Sequence, residues 1–195
     1  MHSPSLMDQA LTQHQADAVQ IVDRYWHHLA KDGTVPDRAS IDPGAIQDAL
    51  EYAFIAEHLS AGHARLRVAG GSINAALGME ASGMPLAALV NPAARQRFTD
   101  QIAKCLEDPA KVTMTLRSPV RFGQPALNAQ LWMYPLRDAR GVCKLLGTFI
   151  TTGLLDCTPR RFEITAVTAT PVARATPAPR PALISRGHLR LVVSN

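Results

Sequence analysis

Residues 65–86, RLRVAGGSINAALGMEASGMPL, place glycines at 70, 71, 78 and 83 between a strand-like run and a helix-like one. A loop of that kind can cradle phosphate, because its backbone N–H groups converge at the start of a helix. The spacing argues against this. A dinucleotide fingerprint needs G-x-G-x-x-G with an acidic residue about 20 positions on, and a P-loop needs G-x-x-x-x-G-K-[ST]. GMEASG supplies the first part of the second pattern, but Met84 and Pro85 stand where its Lys and Ser or Thr belong. With no lysine there is no cation for the phosphates. The glycines are expected to shape tight turns.

The other reactive side chains are as poorly spaced. His27 and His28 are adjacent, so a helix turns them to different faces, and His58 and His63 flank Gly62. Neither pair has the H-x-x-x-H or H-E-x-x-H spacing of a zinc site. Cys105, Cys143 and Cys157 form no C-x-x-C pair and are expected to be reduced thiols. No G-x-S-x-G elbow occurs. No catalytic residue and no metal ligand is therefore assigned. What remains is an apolar set, Met79, Met84, Met114, Leu131, Met133 and Phe149, which has the adaptable character of a ligand-pocket lining.

The elements that must carry these residues can be read from pattern. The chain of 195 residues is 47% hydrophobic and 18% charged, which suits one domain with an appendage. No apolar run nears the ~20 residues of a membrane span, and MHSPSLMDQALTQHQ lacks the form of a signal peptide. A cytoplasmic protein is expected. Residues 1–157 hold 14 Lys and Arg against 15 Asp and Glu, whereas residues 158–195 hold six Arg and one Glu. The basic character thus belongs to the end of the chain. Its arginines are spread out and have no interleaved aromatics, so nucleic-acid or membrane contact through this tail ranks only as an alternative.

Residues 7–30 read as a helix with Val19, Val22, Trp26 and Leu29 on one stripe. Asp42 and Pro43 are expected to start a second helix over 43–59, with Ile46, Leu50, Ala53 and Phe54 on one face. ARLRVAG alternates as a strand, short helical pieces fill 72–90, and Asn91 caps a longer helix. Strands follow over 111–120, 126–138 and 142–152, the last two joined by RDARGV. The stretch from 156 to 195, rich in Pro and Ala, reads as a flexible tail, so the stable core is expected to end near 155.

Strand parity sorts the side chains. Leu66, Val68, Val112, Met114, Leu116, Leu127, Leu131, Met133, Cys143, Leu145 and Phe149 fall on one face. The opposite face is mostly polar but carries Trp132, Tyr134 and Leu146. An aromatic patch in such a place needs a cover. Val22, Trp26 and Leu29 on the first helix match it, in the same subunit or in a two-fold partner. These six residues form the candidate interaction surface.

Several segments together carry a family likeness: YWHHL (25–29), VPDRASIDP (35–43), RLRVAGGSIN (65–74), GMEASGMPL (78–86), NPAAR (91–95) and MYPLRD (133–138). With them, residues 20–152 resemble the PAS superfamily of sensory domains, closest to small bacterial single-PAS proteins common in alphaproteobacteria. HLRLV (188–192) also looks familiar in such proteins. The resemblance implies an α+β fold, with a five-stranded antiparallel sheet, short helices on one face and an N-terminal helix on or near the other. Its expected division is an extension over 1–18, a PAS-like domain over 19–155 and the tail over 156–195. It implies a non-enzymatic sensor or regulator acting through protein–protein contacts, in ligand-gated form or not, and as a homodimer. No cofactor is assigned. Binding of an apolar molecule, or of haem through His58 or His63, is the alternative. A flavin photosensor is set aside, because no cysteine lies between 64 and 104.

Overall fold

Thr12 and Gln15 form a reciprocal capping box. Thr12 Oγ1 accepts the Gln15 N–H at 3.3 Å, and Gln15 Oε1 accepts the Thr12 N–H at 3.1 Å. The helix they start, α1 (Gln13–Leu29), runs unbroken through the boundary expected at 18. The computed structural model describes residues 11–60, 62–121, 123–155 and 158–172.

After α1 the structure departs from the periodic reading. The helix expected over 43–59 is a short 3-10 stretch, Pro43–Ala49, followed by a strand, β1 (Ala53–Ser60). Asp42 does cap the 3-10 stretch, accepting the Gly44 N–H at 2.9 Å. The strand wins because Ala53, Phe54, Ile55 and Ala56 are all buried, on alternating sides. A run that is apolar at successive positions fits a doubly buried strand as well as a helix.

Next come β2 (His63–Ala69), α2 (Gly71–Leu77), α3 (Arg95–Glu107), β3 (Ala110–Ser118), β4 (Leu127–Asp138) and β5 (Gly141–Thr152). Asn91 accepts the Ala94 N–H at 2.9 Å just before α3, as its position predicts. These five strands and a sixth, β6 (Glu163–Pro171), form one antiparallel sheet in the order β2-β1-β5-β4-β3-β6. Two departures from simple parity have a common cause. Bulges between Ile55 and Ala56 and between Leu136 and Arg137 insert Arg67 and Cys143 as extra residues. Val68 is thereby turned to the face opposite Leu66, and Cys143 leaves the apolar row.

The sixth strand corrects both the expected five-stranded sheet and the tail expected from 156. The chain crosses the helical face after β5 and returns as β6 (Glu163–Pro171), paired with β3. Phe162 anchors the crossing. It is fully buried, lies edge-on to Phe149 at 5.6 Å, and makes 2.9 Å backbone bonds with Leu89 and Asn91. Arg160 is also fully buried. Its N–H donates to Ala76 O and its Nη1 to Pro125 O, each at 2.7 Å. Two of the six arginines assigned to the tail, Arg160 and Arg161, are thus part of the folded body. Composition misleads here because an edge strand is held chiefly by backbone bonds, which Ala and Thr supply as well as Val. The remaining tail, HLRLV included, lies outside the described residues.

Trypsin is expected to spare Arg160 and Arg161 and to leave a product reaching past Pro171. Phe162→Ala should destabilise the fold by ~3–5 kcal/mol in urea titration. A stable product ending near 155 would show that β6 is not integral.

Candidate functional site

One face of the sheet is sealed by α2, α3 and the Arg160–Phe162 crossing; the other is covered mainly by α1. Ala18, Val22 and Trp26 recur every four residues and are buried against Trp132, Tyr134, Leu146 and Ile150. Trp26 and Tyr134 have ring centroids 5.6 Å apart. Pro135 has no N–H, and the β3–β4 ladder stops just before it, at the Val112–Met133 pair. Its carbonyl accepts the Trp26 indole N–H at 3.0 Å.

A polar cluster lies beside this apolar stripe. The Tyr134 hydroxyl donates to Asp23 Oδ1 at 2.9 Å, and Lys111 Nζ forms an ion pair with the same oxygen. Lys111 also sits 5.5 Å from the centre of the Tyr134 ring. Burial pushes the Asp23 pKa up, but the bonds from Lys111 and Tyr134 outweigh it and hold the carboxyl below its ordinary value. Burial, and then the Asp23 charge, push the Tyr134 phenol far up. The cluster is therefore a fixed carboxylate, ammonium and neutral phenol. Tyr25 ties the other side of α1 to the connector, accepting from Asp42 N at 2.7 Å and donating to Ser40 O at 3.1 Å.

Two clefts flank this cover. One, of about 320 Å³, lies between the end of α1 and the end of β6 and is lined by Trp26, His27, Lys111 and Pro171 among others. The second, of about 240 Å³, lies between the connector and β1–β2. It is apolar apart from Arg38. Beyond it, Glu57 gathers Arg67, Arg140 and Lys144 at one end of the sheet. The hydrogen bond from Arg140 comes first, followed by those from Arg67 and Lys144, in lowering the Glu57 pKa from 4.5 to about 2.

The family model of the PAS domain matches residues 14–150. The chain belongs to the PAS domain family. No curated protein matches it. PAS membership points to a sensory or regulatory role. Among the described residues of this PAS domain, no helix is long and apolar enough to cross a membrane.

The candidate interaction residues come together as a buried layer inside one chain, not as a free surface: Val22, Trp26, Trp132, Tyr134 and Leu146 are buried, and Leu29 packs at the margin. The candidate pocket residues are more scattered. Met114, Leu131, Met133 and Phe149 are fully buried in the core under the helices, Met84 packs at its edge, and Met79 is 53% exposed. None of the six lines either cleft of the PAS back face. The backbone N–H groups of the glycine loop are taken up by carbonyls of the fold. Gly70 N donates to Ala53 O, Ser72 N to Glu51 O, and Gly83 N to Leu66 O. A side chain at Gly70 would collide with the carbonyls of Leu50, Glu51 and Ala53. His58 Nε2 accepts the Gly62 N–H at 3.2 Å, and His63 is exposed. Asp23, Lys111, Arg38 and Glu57 were not singled out by sequence. One signal pointed to Asp23: a tyrosine in a patch that must be covered needs an acceptor from its cover.

Trp26→Ala should destabilise this PAS domain by ~3–5 kcal/mol in chemical denaturation, because the side chain is buried. Unchanged stability would show that α1 does not seal the sheet. The Glu57 cluster has its own pH signature. The folded pKa is depressed, so its stabilisation is complete above pH ~4.5 and is lost as the pH falls towards 2. The difference in urea midpoint between wild type and Glu57→Gln should hold from pH 7 to 5 and shrink below that. A difference that does not change with pH would reject the assignment.

Proposed function

We propose that this PAS protein is a non-enzymatic regulator whose output is the release of α1 from the back of the sheet. The observation that carries the reading is the two-part seal on one helix. An apolar stripe, Ala18–Val22–Trp26, lies beside a polar attachment, Asp23 to Lys111 and Tyr134. Lifting α1 would expose Trp132, Tyr134 and Leu146 together, a patch of the aromatic kind that protein interfaces use. The stripe and the patch are complementary, so a second copy can take the place of the chain's own helix and form a homodimer. A signalling partner with a similar amphipathic helix would use the same patch. The asymmetry of the fold supports this assignment. The opposite face is closed by several helices and a crossing segment, whereas this one depends on a single helix and its connector.

Amide hydrogen exchange on the full chain tests the reading. The α1 amides should exchange through an opening of lower free energy than that of β4 and β5. Asp23→Ala should speed exchange in α1 by about tenfold or more and leave β4 and β5 unchanged, since it strands the Tyr134 hydroxyl. Sedimentation at rising concentration should show dimer, more of it in Asp23→Ala. Exchange of α1 only through global unfolding, in both proteins, would reject the release reading; monomer throughout would reject the homodimer.

A further inference from the structure

We infer that the 240 Å³ groove beside α1 is a binding site for a small amphipathic carboxylate, an aliphatic or aromatic acid with one charged end. The floor is the back of the sheet at Ile55, Val68 and Leu146, and the roof is the connector at Ile41, Ile46 and Leu50. Two of these side chains remain open to water in a way that an apolar guest would end: Val68 is 53% exposed and Leu50 43%. Val68 faces the groove because the bulge at Arg67 turns it there.

Arg38 supplies the polarity of the site. It is the charged residue among the groove's lining, and its guanidinium has no hydrogen bond or ion pair with any described residue. The carboxylates nearest in sequence are engaged elsewhere, Asp37 with the Ala39 N–H at 2.8 Å and Asp42 with the Gly44 N–H at 2.9 Å. An arginine fork free beside an apolar trough matches an anionic head on an apolar body. The volume limits the size. Sites for drug-sized ligands span ~300–1,000 Å³, so this groove takes a smaller molecule. A partner protein is disfavoured, since one short trough offers little of the area that a stable interface buries.

The site is coupled to the cover. A guest would press on the connector, which Tyr25 bonds to α1 at Ser40 and Asp42. In this respect the inference rests on the reading of α1 as the moving part, and it names the chemistry that would bias that motion.

The test uses the full chain with methyl labelling and two probes of equal chain length, octanoate and 1-octanol. Octanoate should shift the Ile55, Val68 and Leu146 methyl signals saturably. Arg38→Gln should weaken octanoate about tenfold or more and leave 1-octanol unchanged. Val68→Glu, an exposed substitution that sets a carboxylate on the groove floor, should abolish octanoate binding while the remaining methyl spectrum keeps its dispersion. No saturable shift at these methyls, or equal octanoate affinity in Arg38→Gln and wild type, would overturn the inference. So would shifts at the same methyls that track protein concentration without probe, because the groove would then belong to a second copy. Exchange of α1 is read without octanoate. Arg38-dependent binding alongside an α1 that never opens would therefore remove the release reading and leave the site standing, whereas an α1 that opens without octanoate binding would do the reverse.

Discussion

Burial of the Tyr134 hydroxyl sets the terms for the back of the sheet. A phenol taken out of water needs a partner, and a carboxylate brought in to serve it needs a cation. Asp23 and Lys111 meet these needs in turn, so α1, β4 and β3 are tied through one oxygen atom. The apolar stripe of α1 could settle at several positions along the sheet, because apolar contact is non-directional. The Asp23 cluster and the Trp26 bond to Pro135 select one of them. Helix and sheet are thus held by area and placed by hydrogen bonds. That combination lets a single helix seal an aromatic patch in one register.

The width of the sheet explains the clefts. Neighbouring strands are ~4.8 Å apart, so the six strands span more than twice the ~10 Å breadth of a helix. The N-terminal helix covers the middle strands, and the connector extends the cover to β1. Near β2 the cover ends, and an apolar trough with Arg38 at its side remains. Near β6 it ends again, leaving the cleft beside Lys111. On the opposite face, α2, α3 and the buried Phe162 crossing close the core more fully. One side of the domain serves stability, and the other carries a cover with openings at its margins.

Much of this was legible because it is local. The apolar stripe of α1, the Asn91 cap, the alternation of β3 and β4, and the β4–β5 hairpin each follow from a handful of neighbouring residues. The match between Trp26 and the Trp132–Tyr134 patch was also readable, since two unsatisfied apolar surfaces in one chain invite each other. Several other features were not legible. The run Ala53–Phe54–Ile55–Ala56 is apolar at every position, and its backbone conformation depends on strands far along the chain. Val68 changed face through a bulge that no local pattern announces. Glu163–Pro171 has the composition of a linker and became a strand because β3 had an open edge beside it.

Local pattern specified an antiparallel sheet with helices on one side, the apolar stripe of α1 and the aromatic patch that had to be covered. Those properties reside in periodicity and capping, which act over a turn of helix or a few strand residues. Long-range packing settled that α1 covers its own sheet, that a sixth strand extends it, and that Arg38 lies beside an apolar groove with no ion pair among the described residues. Each of these depends on backbone edges and side-chain vectors contributed by residues distant in sequence. No window of adjacent residues contains that information, because the partner groups become neighbours only when the chain has closed.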